Sequence, residues 1–465
     1  MKTLLSILLG ALVAMTLFNS CIEDGIDTSP SAQPVFSTDT LDLGVNFTDQ
    51  PTPTHRFTVH NRGTKILSIN NITVNGDHRE NFRINVDGFS GTEFHNVEIR
   101  PKDSIYVFVE ATLPPSNTPV LTDIEAMLDF TTNGVTRGVV LMAHGQDVVR
   151  HRAYTVTSDE TWTAEYPHQI FDSLIVAEGA TLTLAPGTTL HFHDKAQLTV
   201  KGRLSSNGTV EQPVNLTGDR TGNVVGDISF DLMASQWDGV VIAPGSRDNR
   251  LTHTHMRNTV NGLVADSLSQ VTIVNSRLRN SATWPLVSRY ADVTLIGTEV
   301  AEGSLGLYAM MGGSVVANHC TFANYYLFTA IGGAALQFYH FSPDTDNESG
   351  MPYLRADISN SIVYGLGQDL SHGDFTDTAV YLRSCVLKSA GEDDDHFIGC
   401  LWDTDPMYAT VREDYFFDYR VLPDSPVIGK ADAALTLPEA ATDPYGLSRL
   451  PQPTPGAYQG ICEAE

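Results

Sequence analysis

Positive charge is scarce in this chain: 28 Lys+Arg stand against 55 Asp+Glu, a formal net charge of −27. Binding a phosphate backbone needs clustered Lys and Arg, so a general nucleic-acid binder is not expected. Charged residues of both signs make up only 18% of the chain, low for a helix-rich protein. Long hydrophobic runs are missing too. After the N-terminal segment, no stretch reaches the ~18 apolar residues of a membrane helix. Cysteine is sparse, with 5 in 465 residues and no CxxC spacing, which argues against a zinc site. What the chain does have is 37 Gly, 23 Pro and 42% hydrophobic residues: many turns, and enough apolar side chains for a sizeable core. At roughly 150 residues per domain, the length suggests two to four domains. The composition leans towards an all-β fold.

The N-terminus reads as an address. Met1-Lys2 is a short positive start, and Leu4 to Leu17 is an uncharged apolar run, the pattern of a signal peptide over 1–20. The run closes in Leu17-Phe18-Asn19-Ser20-Cys21, which resembles the lipobox of bacterial lipoproteins. That resemblance implies lipid attachment at Cys21 and an acyl anchor in place of a spanning helix. Ile22-Glu23-Asp24 resembles the surface-export signal of lipoproteins in the Bacteroides-like lineage, and 21–33 reads as a flexible tether. The expectation is an exported protein, lipid-anchored in the outer membrane and facing the cell surface. In an oxidising compartment Cys385, Cys400 and Cys462 leave one disulfide open, its pairing undetermined. Cys320 is expected to pack as a small buried residue.

Residues 34–147 show short alternating runs between turn residues, among them His55 to Val59, Ile66 to Ile69, Ser104 to Val109 and Val139 to Met142. Leu41-Asp42-Leu43-Gly44, Val59-His60-Asn61-Arg62-Gly63, Phe82-Arg83-Ile84, Ile99 to Asp103 and Val140 to Gly145 resemble the ASPM–SPD-2–hydin type of immunoglobulin-like module. The resemblance implies a sandwich in which Asn-x-Gly turns the chain between strands. It implies little about activity, because such modules serve mainly as spacers and platforms.

The remainder carries a repeat. Val271 to Leu278 recurs as Val293 to Val300 and as Val315 to Phe322, each offset by 22 residues. The pattern resumes at Ala356 to Val363 and again at Val380 to Leu387. Apolar residues sit two apart, as in strands, and a small residue (Ser276, Thr298, Cys320, Ser361, Cys385) recurs between the pairs. A unit this short cannot bury its own face, so copies must stack. Ile175 to Thr188, Leu198 to Leu204, Gln212 to Thr217, Trp237 to Ile242, Asp424 to Gly429, Asp443 to Gly446 and Pro455 to Tyr458 resemble pectate-lyase-like domains. The expected fold is all-β: an immunoglobulin-like sandwich, then a right-handed parallel β-helix over 154–460 with an insertion near 339–353.

Chemistry is harder to find. Elimination on an acidic polysaccharide needs a base and often Ca²⁺, and hydrolysis needs paired carboxylates. Neither the Trp-Ile-Asp-His-like segment of pectate lyases nor the Asn-Thr-Asp, Asp-Asp and Gly-His-Gly set of polygalacturonases is present. Ser371-His372-Gly373-Asp374 reads as a solvated turn. Asp344 to Glu348 starts with EF-hand alternation, but Gly350 comes one place late and Arg355 stands where the bidentate Glu belongs. No cofactor is expected, with Ca²⁺ at Asp393 and Asp395 of the Glu392-to-His396 run as the open alternative. His191 with His193, and His253 with His255, are spaced to share a strand face but lack a third ligand. Two aromatic groups are the candidate ligand contacts: Tyr339, Phe341 and Tyr353 at the insertion, and Phe417 and Tyr419 further on. Aromatic faces beside carboxylates suit sugar rings. The expected function is therefore a binding or adhesive surface for a neutral glycan or a protein, the membrane being met through the lipid. A polysaccharide lyase or glycoside hydrolase working in the same groove is the alternative.

Overall fold

The computed structural model describes residues 25–225, 228–342 and 350–460, in two compact units, Met1–Asp147 and Val148–Glu465. Cys21, Cys462, residues 343–349 of the insertion and the EF-hand-like run lie outside the described residues. The fold is all-β, an immunoglobulin-like sandwich followed by a parallel β-helix.

In the first unit, two five-stranded sheets face each other. One runs Val35–Phe36, His55–His60, Ser104–Ala111, Phe82–Val86, Phe89–Gly91; the other runs Thr40–Phe47, Val135–Gln146, Thr122–Thr132, Leu67–Asn75, Glu93–Ile99. Pairing is antiparallel throughout, except that Thr40–Phe47 lies parallel to Val135–Gln146. Alternation decides what is inside: Val107, Val109, Leu128, Phe130 and Leu141 are buried, while their neighbours point out. Asn61 explains the Asn-x-Gly motif physically. Its buried amide donates to the Lys65, Ile99 and Arg100 carbonyls, and its Oδ1 accepts from Gly63 N at 2.8 Å. One side chain thus satisfies a turn that has no ladder partners of its own.

In the second unit the chain winds through three strands per coil, each paired in parallel with its counterpart one coil on. We name the faces in the order the chain visits them. Face A holds rungs such as Arg277↔Glu299↔Thr321↔Ile362↔Val386. Face B holds Leu263↔Leu286↔Tyr308↔Leu336↔Leu370. Face C holds Val271↔Val293↔Val315↔Ala356↔Val380. Inward residues of all three faces stack into one continuous core. The winding starts earlier than the expected 154: Val149–Val156 already pairs with His168–Val176. Its opening residues, Val149-Arg150-His151-Arg152, lack the apolar alternation that marks later coils.

The recurring small residue has a geometric cause. Between faces C and A the chain turns at His253, Asn275, Gly297, His319, Asn360 and Ser384, all with φ between 41° and 56°. That left-handed conformation favours Gly and Asn over bulky residues. The next residue points inward and returns its hydrogen to the carbonyl two residues back. The distances are 2.8 Å for Ser276 to Val274, 3.0 Å for Thr298 to Ile296 and 2.8 Å for Ser361 to Ser359. Cys320 and Cys385 occupy the same rung, with sulfur 3.5 Å from the Asn318 and Arg383 carbonyls. Cys320, Cys385 and Cys400 are all free thiols, which corrects the open disulfide for a Cys385–Cys400 pair. Cys385 is committed to the turn rather than to a bridge.

Residues 402–460 add no coils. They fold back outside face A and the adjoining corner, where Asn318 donates to the Leu435 carbonyl and Asn360 to that of Asp432, both at 2.9 Å.

Candidate functional site

The outer sides of faces A and B present two different chemistries. On face A, Arg277, Arg279, Glu299 and Ala301 point away from the core, yet every residue of Glu299–Gly303 is buried. Ala301, Ala323, Ile362 and Val386 form a second apolar layer with Tyr408, Tyr419, Val421, Val427 and Tyr458 of the returning segment. Inside that layer Arg279 grips Glu299 with two hydrogen bonds, one of 2.8 Å from Nη2, while the Tyr458 hydroxyl also donates to Glu299. Burial pushes the Glu299 carboxyl up, but Arg279 outweighs it and holds the group below the usual carboxylate range. Glu302 receives the Tyr419 hydroxyl, and burial lifts its pKa to about 7 despite Arg279. This is a closed clamp with no room for a substrate.

Face B is bare. Its strands, from 154–156 through Gln197–Val200, Gly239–Ile242, Leu263–Ala265 and Leu336–Tyr339 to Leu370–Ser371, contain neither Asp nor Glu. Outward positions run Val241, Val264, Val287, Ala309, Gln337 across adjoining coils. At the end of these strands Arg289, Met311 and Tyr339 stand in register, Met311 38% and Tyr339 43% exposed. The Tyr339 hydroxyl donates to Gln337 Oε1 at 2.6 Å, which fixes the ring's tilt. Around the same corner Tyr290 meets His340 edge-on at 5.4 Å, and His340 stacks on Tyr353 at 4.7 Å. Further along this edge a cleft of about 810 Å³ is lined by Asp159, Glu178, Lys201, Arg203, Arg247 and Asp248. Its charges are partly spent on exposed ion pairs, Arg203 to Asp248 at 2.9 Å and Arg247 to Asp292 at 3.3 Å.

The structure separates the residues singled out in sequence. Tyr339 and Tyr353 share the face B edge. Phe341 turns inward and packs on Phe375 at 5.2 Å. Phe417 lies in the layer over face A, its carbonyl accepting from Arg279 at 3.3 Å, and Tyr419 is only 1% exposed. Tyr419 therefore offers no free ring face and Phe417 is partly buried, because residues 402–460 use them to cover their own β-helix. Asp393 is engaged inside its loop, accepting from Gly399 N at 2.6 Å and Trp402 Nε1 at 3.1 Å. Asp395 is exposed beside it. Among the described residues no group of three His, Cys, Asp or Glu converges as a metal site would require. His253 sits in a corner turn rather than on a strand beside His255. Sequence reading missed Arg289, Tyr290, Met311 and His340. The available signal was that Met311 and Tyr339 occupy equivalent positions of successive coils.

No protein-family model and no curated protein matches the chain. Among solved structures, a protein of unknown function from Porphyromonas gingivalis W83 shares 16% identity over 25% of this chain and 49% of its own, with a TM-score of 0.18. A family 123 glycoside hydrolase from Clostridium perfringens shares 9% identity over 28% of this chain and 30% of its own, with a TM-score of 0.20. The chain spans less than half the length of either, and likenesses of this size carry no argument about what it does.

Proposed function

We propose that the chain is an exported, lipid-anchored surface protein whose β-helix binds a neutral glycan along face B without cleaving it. One observation carries the reading: an exposed Met311–Tyr339 edge and the Tyr290–His340–Tyr353 stack border strands that have no carboxylate. Sugar rings set their C–H faces on aromatic rings and pair their hydroxyls with polar groups such as guanidinium, here the exposed Arg289. Hydrolysis would need two carboxylates flanking the bond. The net charge of −27 repels polyanions such as pectate, which makes a neutral glycan the better match. Anchoring rests on the Leu17-to-Cys21 lipobox resemblance.

The test is native gel electrophoresis of the mature protein through soluble polysaccharides, with assays for unsaturated products and for reducing ends. Retardation by a neutral glycan, lost in Tyr339→Ala/Tyr353→Ala and without new ends, supports the reading. Release of either kind of end, abolished by changing Asp248, would establish the enzyme instead. If no glycan retards the protein, the ligand class is wrong. For the anchor, Cys21→Ala should abolish incorporation of radiolabelled fatty acid; unchanged labelling overturns it.

A further inference from the structure

The sandwich unit carries a cleft of its own. In an antiparallel sheet with one face on a core, outward positions of a central strand meet water and are ordinarily polar. Ser104–Ala111 is the central strand of its sheet, yet two of its outward positions are Tyr106 and Phe108. Tyr106 is 47% exposed, and the two rings lie 6.0 Å apart, tilted by 34°. The Arg56 guanidinium sits 5.1 Å over the Tyr106 ring. Across the sheet, Phe108 stands in register with Arg56 on one side and Asn85 on the other.

Around Phe108 the surface falls into a cleft of about 830 Å³, with Glu80, Arg83, Asn85, Ser90, Thr92 and Glu110 among its lining. One wall is fixed by the hairpin after Phe82–Val86. Gly88 N donates to Asn85 Oδ1 at 3.0 Å, and Asn85 Nδ2 donates to Ser90 Oγ at 3.1 Å. The opposite wall is fixed by the Thr54 hydroxyl, which donates to Glu110. Both walls are thus held by internal hydrogen bonds, and pre-organised walls favour affinity.

We propose that this cleft binds a neutral oligosaccharide, independently of the β-helix. Phe108 supplies the flat apolar surface for a ring's C–H side. Glu80 and Glu110 accept hydroxyl protons, Arg83 and Asn85 donate, and Ser90 and Thr92 do either. Two carboxylates against one guanidinium in the lining disfavour an anionic sugar. A peptide added as an extra strand is disfavoured as well, because the bordering edge strand Phe89–Gly91 has only 3 residues to pair with.

The test uses the full mature chain, with soluble mannan, xyloglucan and galactan as probes in affinity electrophoresis and titration calorimetry. The variants are Phe108→Ala, Glu110→Gln and, on the β-helix, Tyr339→Ala. Binding to at least one probe should weaken about tenfold or more in Phe108→Ala and in Glu110→Gln, the loss of one good contact each, whether or not Tyr339→Ala weakens that probe as well. Glu110→Gln keeps the side-chain volume, so its loss of binding does not depend on Phe108→Ala folding well. The inference is overturned if none of the probes binds, or if both sandwich variants bind as the wild type does. Loss in Tyr339→Ala alone overturns it while leaving the β-helix reading standing. Competition by an unstructured peptide in place of glycan overturns it in favour of a protein ligand.

Discussion

Faces A and B of the β-helix are built from the same coils, with equally apolar inward ladders, and differ only in what lies outside them. Face A is roofed by residues 402–460, so its outward Arg279 and Glu299 are held in a dry, tyrosine-lined layer. Face B has no such roof over Arg289, Met311 and Tyr339, which are exposed, although Val264, Ala309 and Gln337 on the same outer side are buried. Strongly shifted ionisation commonly points to chemistry. Here Glu302, the carboxyl that burial lifts to about 7, belongs to the closed face, where it accepts from the Tyr419 hydroxyl of the returning segment. The open face holds the exposed rings that folding does not require. Glu302 on face A and Tyr339 on face B are thus different kinds of group, and each can be tested in its own experiment.

The largest effect should come from unbalancing the closed face. Arg279→Ala leaves Glu299 buried without its cation, an error that costs about 3–5 kcal/mol. All four tryptophans (Trp162, Trp237, Trp284 and Trp402) belong to the second unit, so urea unfolding followed by tryptophan fluorescence reads that unit alone. A midpoint close to wild type would mean that the Arg279–Glu299 pair is not what seats the returning segment. Replacing both partners, as Arg279→Met/Glu299→Leu, should recover much of the loss, because two apolar groups leave no charge stranded.

Next in size is a pH effect from Glu302, again confined to face A. Its folded pKa is raised, by burial first, from 4.5 to about 7. The folded state therefore holds its proton more tightly than the unfolded chain does. The stabilisation is complete below pH 4.5 and is lost as pH rises through 7. The shift corresponds to roughly 3 kcal/mol. Glu302→Gln keeps an acceptor for the Tyr419 hydroxyl and has no proton to lose. The stability difference between wild type and variant should therefore change across this interval and level off above it. A difference independent of pH would show that Glu302 does not titrate in the folded chain.

A smaller effect concerns what was legible in the sequence. The offset between Val271, Val293 and Val315 is hydrogen-bonded register in the structure, because a parallel coil repeats its pairing as faithfully as its composition. The small residue was visible as a pattern, although its reason, a left-handed corner followed by an inward side chain that bonds the carbonyl two residues back, requires coordinates. Ser276→Ala removes that donor to Val274 O and the acceptor for Thr254 N. A cost of about 1–3 kcal/mol is expected by urea unfolding, against almost nothing at an exposed serine. What could not be read was the roof. Alternation shows which residues face the core but not whether the other side is later covered, as the fully buried Glu299–Gly303 demonstrates. For the same reason Tyr339 and Phe341, two residues apart in one aromatic cluster, go opposite ways. The first ends a strand on the open edge, while the second falls where the chain has left the repeat and turns onto Phe375.

The smallest effect on stability is the most informative about function. Tyr339→Ala removes a ring that is 43% exposed and whose hydroxyl donates to Gln337, a side chain that keeps its own bonds to the Leu305 and Ala334 carbonyls. Such a surface change should move stability by no more than about 0.5 kcal/mol. If face B is a binding surface, the same substitution must still cost a measurable share of glycan retardation, because the ring's C–H-facing area is then its contribution to the ligand rather than to the fold. The contrast with Arg279→Ala is the point of the pair: one variant should unfold early, and the other should stay folded and bind less. If Tyr339→Ala instead destabilises the second unit by more than about 1 kcal/mol, the open face is carrying structure after all. The distinction between the roofed and bare sides of the coil would then be one of exposure alone.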